Sequence, residues 1–380
     1  MVGDEGRYLK FASNLSQGYY TSKNDINLTN GPGYPIVLLP FVAFRIPLIV
    51  AKLMNSVFLY LSVLYFYYTL SLYMKKLLAT VFAYLLGIYP IIVKYLPTML
   101  TEVFAVFLIC GFIFHFCKLH QNNGLSWRHI FGASVYLSFL ALTRTIFGYV
   151  ILFGLLFLPI SYLFTRKKTA VKSFLMLLVA LIFCSPYLAY TYALTGKVFY
   201  WGTNGGEVLY WMSTPYENEY GDWFGRKKIY EINRLSINHM DFYNELESLS
   251  KFEEDKIFKV KAIENIAQHP SKYLRNWIAN IGRLLFNYPR SYIPQKIETY
   301  FYIIPNMFIV VLSILCIYPF YLGRKLVPYE IKGLVVSSLV YIGGSSLVSA
   351  VPRYFAIIVP VIILWISFTV TRIIKFEIQN

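Results

Sequence analysis

Residues 98–118 read TMLTEVFAVFLICGFIFHFCK. After Glu102 the run stays apolar through Cys117, with His115 its single polar interruption. About 20 consecutive, mostly apolar residues carry an α-helix across the hydrocarbon of a bilayer, so this stretch reads as a spanning helix with one carboxylate at its start. Comparable runs lie near 53–73, 77–93, 129–143, 146–164, 173–194, 300–322, 331–350 and 353–374. Together they predict an all-α polytopic membrane protein of about nine transmembrane helices. Runs 129–143 and 146–164 form one long apolar stretch broken at Thr143-Arg144-Thr145, read as two short helices meeting at the arginine.

The composition agrees. Of 380 residues, 57% are hydrophobic, 19% aromatic and 14% charged, against about a quarter charged in a soluble domain. The net charge of +16 is spread as short Lys/Arg clusters between apolar runs. That is a topology signal, not the basic stripe of a nucleic-acid surface. Lys75, Lys76, Lys118, Arg128, Arg166, Lys167, Lys168, Lys172, Arg324, Lys325, Lys332, Arg372 and Lys375 fall on one side, and the short loops opposite hold only Lys94, Arg144 and Arg353. Because cytoplasmic loops carry the excess of Lys and Arg, the larger group marks the cytoplasm. The outer face then carries residues 1–52, the turn before Glu102, the turn at Arg144, the segment 195–299 and the corner Pro352-Arg353-Tyr354. The expected location is a plasma membrane with the site facing outward.

Acidic residues are scarce in the first half. Of 19 in the chain, only Asp4, Glu5, Asp25 and Glu102 precede residue 195, and all four map to the outer side. A carboxylate kept beside hydrocarbon is costly and is a functional candidate by default. Cys110, Cys117, Cys184 and Cys316 all sit inside apolar runs and read as packing residues. The five histidines show no metal-ligand spacing, and neither a phosphate-cradling glycine loop nor a serine-nucleophile elbow is present.

The domains expected are an outer first loop over 1–52, a transmembrane bundle over 53–194, an outer soluble domain over 195–299 and C-terminal spans over 300–380. The outer domain, with 14 basic and 13 acidic residues, is read as folded and helical in its later part. There, Tyr273, Leu274, Trp277, Ile278, Ile281, Leu284 and Leu285 recur at helical spacing among Lys272, Arg275 and Arg283. Such a helix either lies along the membrane with its cations toward lipid phosphate or packs its apolar face on the domain core. Trp201, Trp211 and Trp223 are candidates for stacking on sugar rings.

Gly3-Asp4-Glu5-Gly6-Arg7-Tyr8, followed by Asn30-Gly31-Pro32-Gly33-Tyr34-Pro35, resembles the polytopic GT-C glycosyltransferases, in particular the protein mannosyltransferase and aminoarabinose transferase group. In that group the first outer loop carries an acidic pair, an arginine and a tyrosine, then a Pro-rich Tyr-Pro motif. Pro97-Thr98 leading to Thr101-Glu102, Leu142-Thr143-Arg144 and Pro352-Arg353-Tyr354 are similar as well. Two features differ. Family members have a spanning helix ahead of the acidic pair, whereas this sequence begins inside the corresponding loop, as an N-terminal fragment or a start assigned too far downstream would. The aminoarabinose branch has a Glu-Lys pair before its Pro-Pro, where this chain has Asn30-Gly31.

The resemblance implies transfer of a sugar from a polyprenyl-phosphate donor to an acceptor hydroxyl on a glycolipid, polysaccharide or protein. In that scheme Asp4 is the general base, with Glu5 as its catalytic neighbour. Arg353, then Arg144, meets the charge growing on the departing phosphate. Glu102 orients substrate or shares a divalent metal, Mg or Mn, with Glu5. Tyr8, Tyr34 and Tyr354 complete the substrate-binding set. Blander readings stand beside these: Asp4 and Glu5 as solvated tail residues, Glu102 as a carboxylate favoured by the helix dipole, Arg144 as a snorkelling residue and Arg353 as an interfacial anchor. Rival functions are a polysaccharide polymerase or ligase, a transporter or flippase for lipid-linked sugars, for which the mid-membrane polar residues and internal repeat are not seen, and a non-catalytic remnant.

Overall fold

The computed structural model describes residues 3–374, and Lys375, one of the topology-marking cations, lies outside them. Two helices precede the bundle, α1 (Glu5–Ser16) and α2 (Gly33–Ala43). The bundle follows as α3 (Leu48–Leu70), α4 (Lys76–Gly87), α5 (Pro90–Tyr95), α6 (Glu102–Gln121), α7 (Trp127–Thr143), α8 (Ile146–Thr165) and α9 (Lys168–Thr195). A second group comprises α10 (Gly205–Met212), α11 (Arg226–Glu231), α12 (Asn233–Glu245), α13 (Lys251–Gln268) and α14 (Pro270–Phe286). The chain then re-enters the bundle as α15 (Tyr300–Leu322), α16 (Tyr329–Ser346) and α17 (Pro352–Phe368), which ends in a π-helical turn over Thr369–Ile373. No strand occurs among the described residues. This is an all-α, multi-pass membrane protein.

Each apolar run of the sequence contains a helix, but not every one is both long and strongly apolar. Among the described residues, six helical stretches are long and apolar enough to span: Leu48–Leu70, Glu102–Gln121, Ile146–Phe164, Lys168–Thr195, Ile297–Leu322 and Pro352–Ile373. The expected span 77–93 is two pieces, α4 and α5. Ile88 caps α4, and Pro90 opens α5 behind an extended Tyr89, as the missing proline N–H and its restriction on the preceding residue require. α7 is 17 residues long. α16 carries Glu330, Lys332 and four serines, which dilute its apolar character. The break at Arg144 between α7 and α8 is present as expected.

α6 is the central element. It packs on α3, α7 and α17, and its buried positions run almost continuously from Glu102 to Leu119. α3, α8 and α15 fully bury few of their apolar residues, as lipid-facing helices do. The helix ends sort into two sets. At one end Tyr73 donates to Glu330 at 2.8 Å, Lys172 donates to the Asn122 carbonyl at 2.6 Å, and the Arg372 guanidinium bonds the Tyr73 carbonyl. At the other lie α1, α2, the start of α6, the α7–α8 turn and the start of α17. The segment between α9 and α15 builds a separate core from Tyr210, Trp211, Phe224, Leu235, Tyr243 and Phe258. Trp201 and Trp211 are each 1% exposed, so the sugar-stacking expectation fails for both, and only Trp223 presents its ring to solvent.

Candidate active site

Glu102 opens α6, and Thr101 ahead of it provides no side-chain cap. Its carboxylate is turned into the protein instead, 2% exposed. Arg144, at the end of α7, brings Nη2 to 2.7 Å of Glu102 Oε1. Arg353, the second residue of α17, reaches the same oxygen with Nη1 at 3.3 Å and sends Nη2 to 3.8 Å of Asp4 Oδ2. Asp4 caps the start of α1, and its other oxygen accepts from Arg7 Nη2 at 2.6 Å. Four segments far apart in sequence therefore meet in one charged chain running Arg144, Glu102, Arg353, Asp4, Arg7. Tyr354 lies beneath both central arginines, its ring centre 5.5 Å from the Arg144 guanidinium and 5.8 Å from that of Arg353.

The glycines of Asn30-Gly31-Pro32-Gly33 explain how α2 approaches this site. A Cβ on Gly33 would fall 2.9 Å from the Leu142 carbonyl carbon and the Thr143 nitrogen, and one on Gly31 would overlap the Leu142 carbonyl oxygen. Only glycine lets the first loop lie on the backbone that presents Arg144. Tyr34 is buried there, edge-on to Tyr8 at 5.3 Å. Tyr8 accepts from Asn30 Nδ2 at 3.1 Å, and burial raises its hydroxyl above the ordinary tyrosine value, keeping the phenol protonated. Tyr341 donates to the Tyr354 carbonyl at 3.2 Å and stacks on Phe147.

Glu5 points to a backbone amide. It is 1% exposed, and its Oε1 accepts the Met99 N–H at 2.9 Å, tying α1 to the turn that leads into Glu102. The two carboxylates of the expected Glu5–Glu102 metal pair are engaged differently. One carboxylate faces a backbone amide and the other faces two guanidinium groups, and no cluster of three or more ligand-type side chains occurs among the described residues. Asp25 is exposed. The site also includes Arg7, Asn30 and Tyr341, which were not expected there; Arg7 and Asn30 lie within the motifs of the first loop, whereas Tyr341 carries no local signal.

Glu102 Oε2, Arg144 Nε, Arg7 Nε and Asn30 Oδ1 are buried polar atoms without a protein hydrogen-bond partner. Such groups are uncommon in folded proteins, and four of them gathered at one site mark it as built to bind something polar. Below the site, a mostly apolar crevice of about 250 Å³ runs between α8 and α16 from Phe147 past Phe153, Phe157 and Leu177 to Ser173 and Lys332.

No family model and no curated protein matches this sequence. Among solved structures, the crystal structure of ArnT from Cupriavidus metallidurans bound to undecaprenyl phosphate is similar over 98% of this chain and 74% of that one, at 13% sequence identity and a TM-score of 0.40.

Proposed function

We propose that this protein is a membrane glycosyltransferase of the GT-C kind, which moves a sugar from a polyprenyl-phosphate-linked donor to an acceptor hydroxyl at the outer face of the membrane. The observation that carries this reading is the meeting of Asp4, Glu102, Arg144 and Arg353 at one end of an apolar helix bundle.

In the reaction the acceptor oxygen attacks the anomeric carbon while its proton passes to Asp4, the most exposed of the site carboxylates at 29%. The bond from the anomeric carbon to the phosphate oxygen breaks, and the polyprenyl phosphate leaves with added negative charge. Arg353 is placed to meet that charge: it is 27% exposed, against 12% for Arg144. Fixed cations aimed at developing charge lower a reaction barrier strongly, because they are already oriented when the charge appears. Glu102 holds both guanidinium groups in place through one oxygen, so its role is to position them. The isoprenoid tail of the donor occupies the crevice between α8 and α16, which begins at Phe147, one aromatic layer from Tyr354.

The test is release of free polyprenyl phosphate from a lipid-linked sugar by reconstituted protein. Asp4→Asn is expected to lower the rate by about 10²–10⁴-fold with the unfolding midpoint unchanged. Undiminished release by that variant removes Asp4 as the base, and no release by the unaltered protein with any polyprenyl-linked sugar removes the function.

A further inference from the structure

α14 is built inside out. Its polar residues Lys272, Asn276, Asn280 and Arg283 repeat at helical spacing and are all 6% exposed or less. Lys272 Nζ donates to the Glu219 carbonyl at 2.6 Å, Asn276 Nδ2 to the Thr214 carbonyl at 3.0 Å, and Asn280 Nδ2 to the Ser346 and Val348 carbonyls at 2.8 and 2.7 Å. The opposite stripe is Leu274, Ile278, Ile281 and Leu285, spaced by four, three and four residues, with Leu274 51% and Ile278 62% exposed. Trp277 flanks that stripe and donates its indole N–H to Ser346 Oγ at 3.0 Å; Tyr273, on the same side, donates to the Leu347 carbonyl at 2.8 Å. The expectation that the cations of this helix face lipid phosphate is therefore corrected. Lys272 and Arg283 turn into the protein, and Arg275 pairs with Glu217 at 2.8 Å.

We infer that the apolar stripe of α14 is a membrane-contact surface, seated in the interfacial region of the bilayer against lipid hydrocarbon. Three observations favour lipid over water or a protein partner. First, the stripe carries no charge. Second, a leucine and an isoleucine left in water forgo the gain of burial, while the same helix buries four hydrogen-bonding side chains, the reverse of a helix packed in water. Third, the stripe is continuous with lipid-facing surface. α14 packs on the outer ends of α15, α16 and α17, the Leu285 carbonyl accepts from Asn306 on α15, and α15 presents Phe301, Ile304 and Phe308 outward at 55% or more. A helix with one apolar face, lying where the spans emerge, has the geometry of an interfacial helix.

The inference is tested in nanodiscs by nitroxide labels at Ile278→Cys and Leu274→Cys, in a background where the four buried native cysteines are replaced. Phe308→Cys on α15 serves as the lipid reference and Ile237→Cys on α12, 74% exposed, as the water reference. The label at 278 is expected to collide with oxygen as readily as the one at 308 and to be shielded from a water-soluble nickel chelate, and the label at 274 should behave alike. Nickel access equal to that at 237 overturns the inference, as does shielding from both reagents, which would place a protein surface over the helix. The readout is independent of enzymatic activity, and it is valid for variants whose size-exclusion peak and helical circular dichroism match the parent.

Discussion

Replacing Glu102 by glutamine removes one charge and leaves the side-chain shape, so its effect reports what that charge does. The carboxylate is 2% exposed and faces Arg144 at 2.7 Å, with Arg144 12% exposed. Breaking a buried ion pair by removing one partner costs about 3–5 kcal/mol, and this contact lies near that limit. The second contact, to Arg353 at 3.3 Å with 27% exposure, is longer and wetter. Water screening moves it toward the value of about 0–1 kcal/mol measured for surface pairs. The amide retains an acceptor oxygen, which recovers part of the loss, so we expect Glu102→Gln to destabilise by about 2–3 kcal/mol. A double-mutant cycle separates the arms: coupling of about 2 kcal/mol between Glu102 and Arg144, and below about 1 kcal/mol between Glu102 and Arg353. The assay is urea unfolding in mixed micelles of the single and double variants with Arg144→Gln and Arg353→Gln. Additivity within about 0.5 kcal/mol for Glu102 with Arg144, or a larger coupling to Arg353, refutes the reasoning.

Two further outcomes follow from the second group of helices. Asn280 is fully buried, donates to two carbonyls, accepts from the Ala350 N–H at 3.0 Å and from Arg283 Nη2 at 2.7 Å, and so sets the loop directly ahead of Arg353. Asn280→Leu strands these groups at about 1–3 kcal/mol for each; hydrogen exchange of segment 346–351 should accelerate sharply, and unchanged protection there would show that the clamp is not Asn280. Asp255 accepts from the Gly206 N–H at 2.7 Å and from the Tyr200 hydroxyl at 3.1 Å, yet burial pushes its carboxyl above the ordinary value against these hydrogen bonds. A folded-state value above the unfolded one means that this group's contribution falls as pH rises past about 3.9, the ordinary aspartate value. Asp255→Asn should therefore flatten part of the loss of stability between acid and neutral pH, and a variant with the parental pH profile of unfolding would contradict the assignment.

Much of this architecture is legible in the sequence because the relevant signals are local. Each apolar run forms a helix, and the break at Thr143-Arg144-Thr145 falls where an arginine interrupts hydrocarbon. The charge asymmetry alone also puts Asp4, Glu102, Arg144 and Arg353 at one end of the bundle. Misreadings arise where a pattern has two physical solutions. The period of α14 shows which residues share a face but not what covers that face, and the chain covers the polar side with protein. Run 77–93 has the hydropathy of a span, but Pro90 ends its continuity. For Glu5 and Glu102, the sequence does not show that one accepts a backbone amide of the turn ahead of α6 and the other holds two guanidinium groups.

By itself, the amino-acid order determined the membrane class and put helix in each long apolar run, since hydrophobic runs are read within a few turns of chain. Only tertiary structure decided partners. Glu102 meets Arg144 and Arg353 across sequence separations of 42 and 251 residues, and no local propensity encodes a distance of 2.7 Å between side chains that far apart. Packing supplies it, through glycines at 31 and 33 that admit the first loop and an asparagine at 280 that holds the last corner.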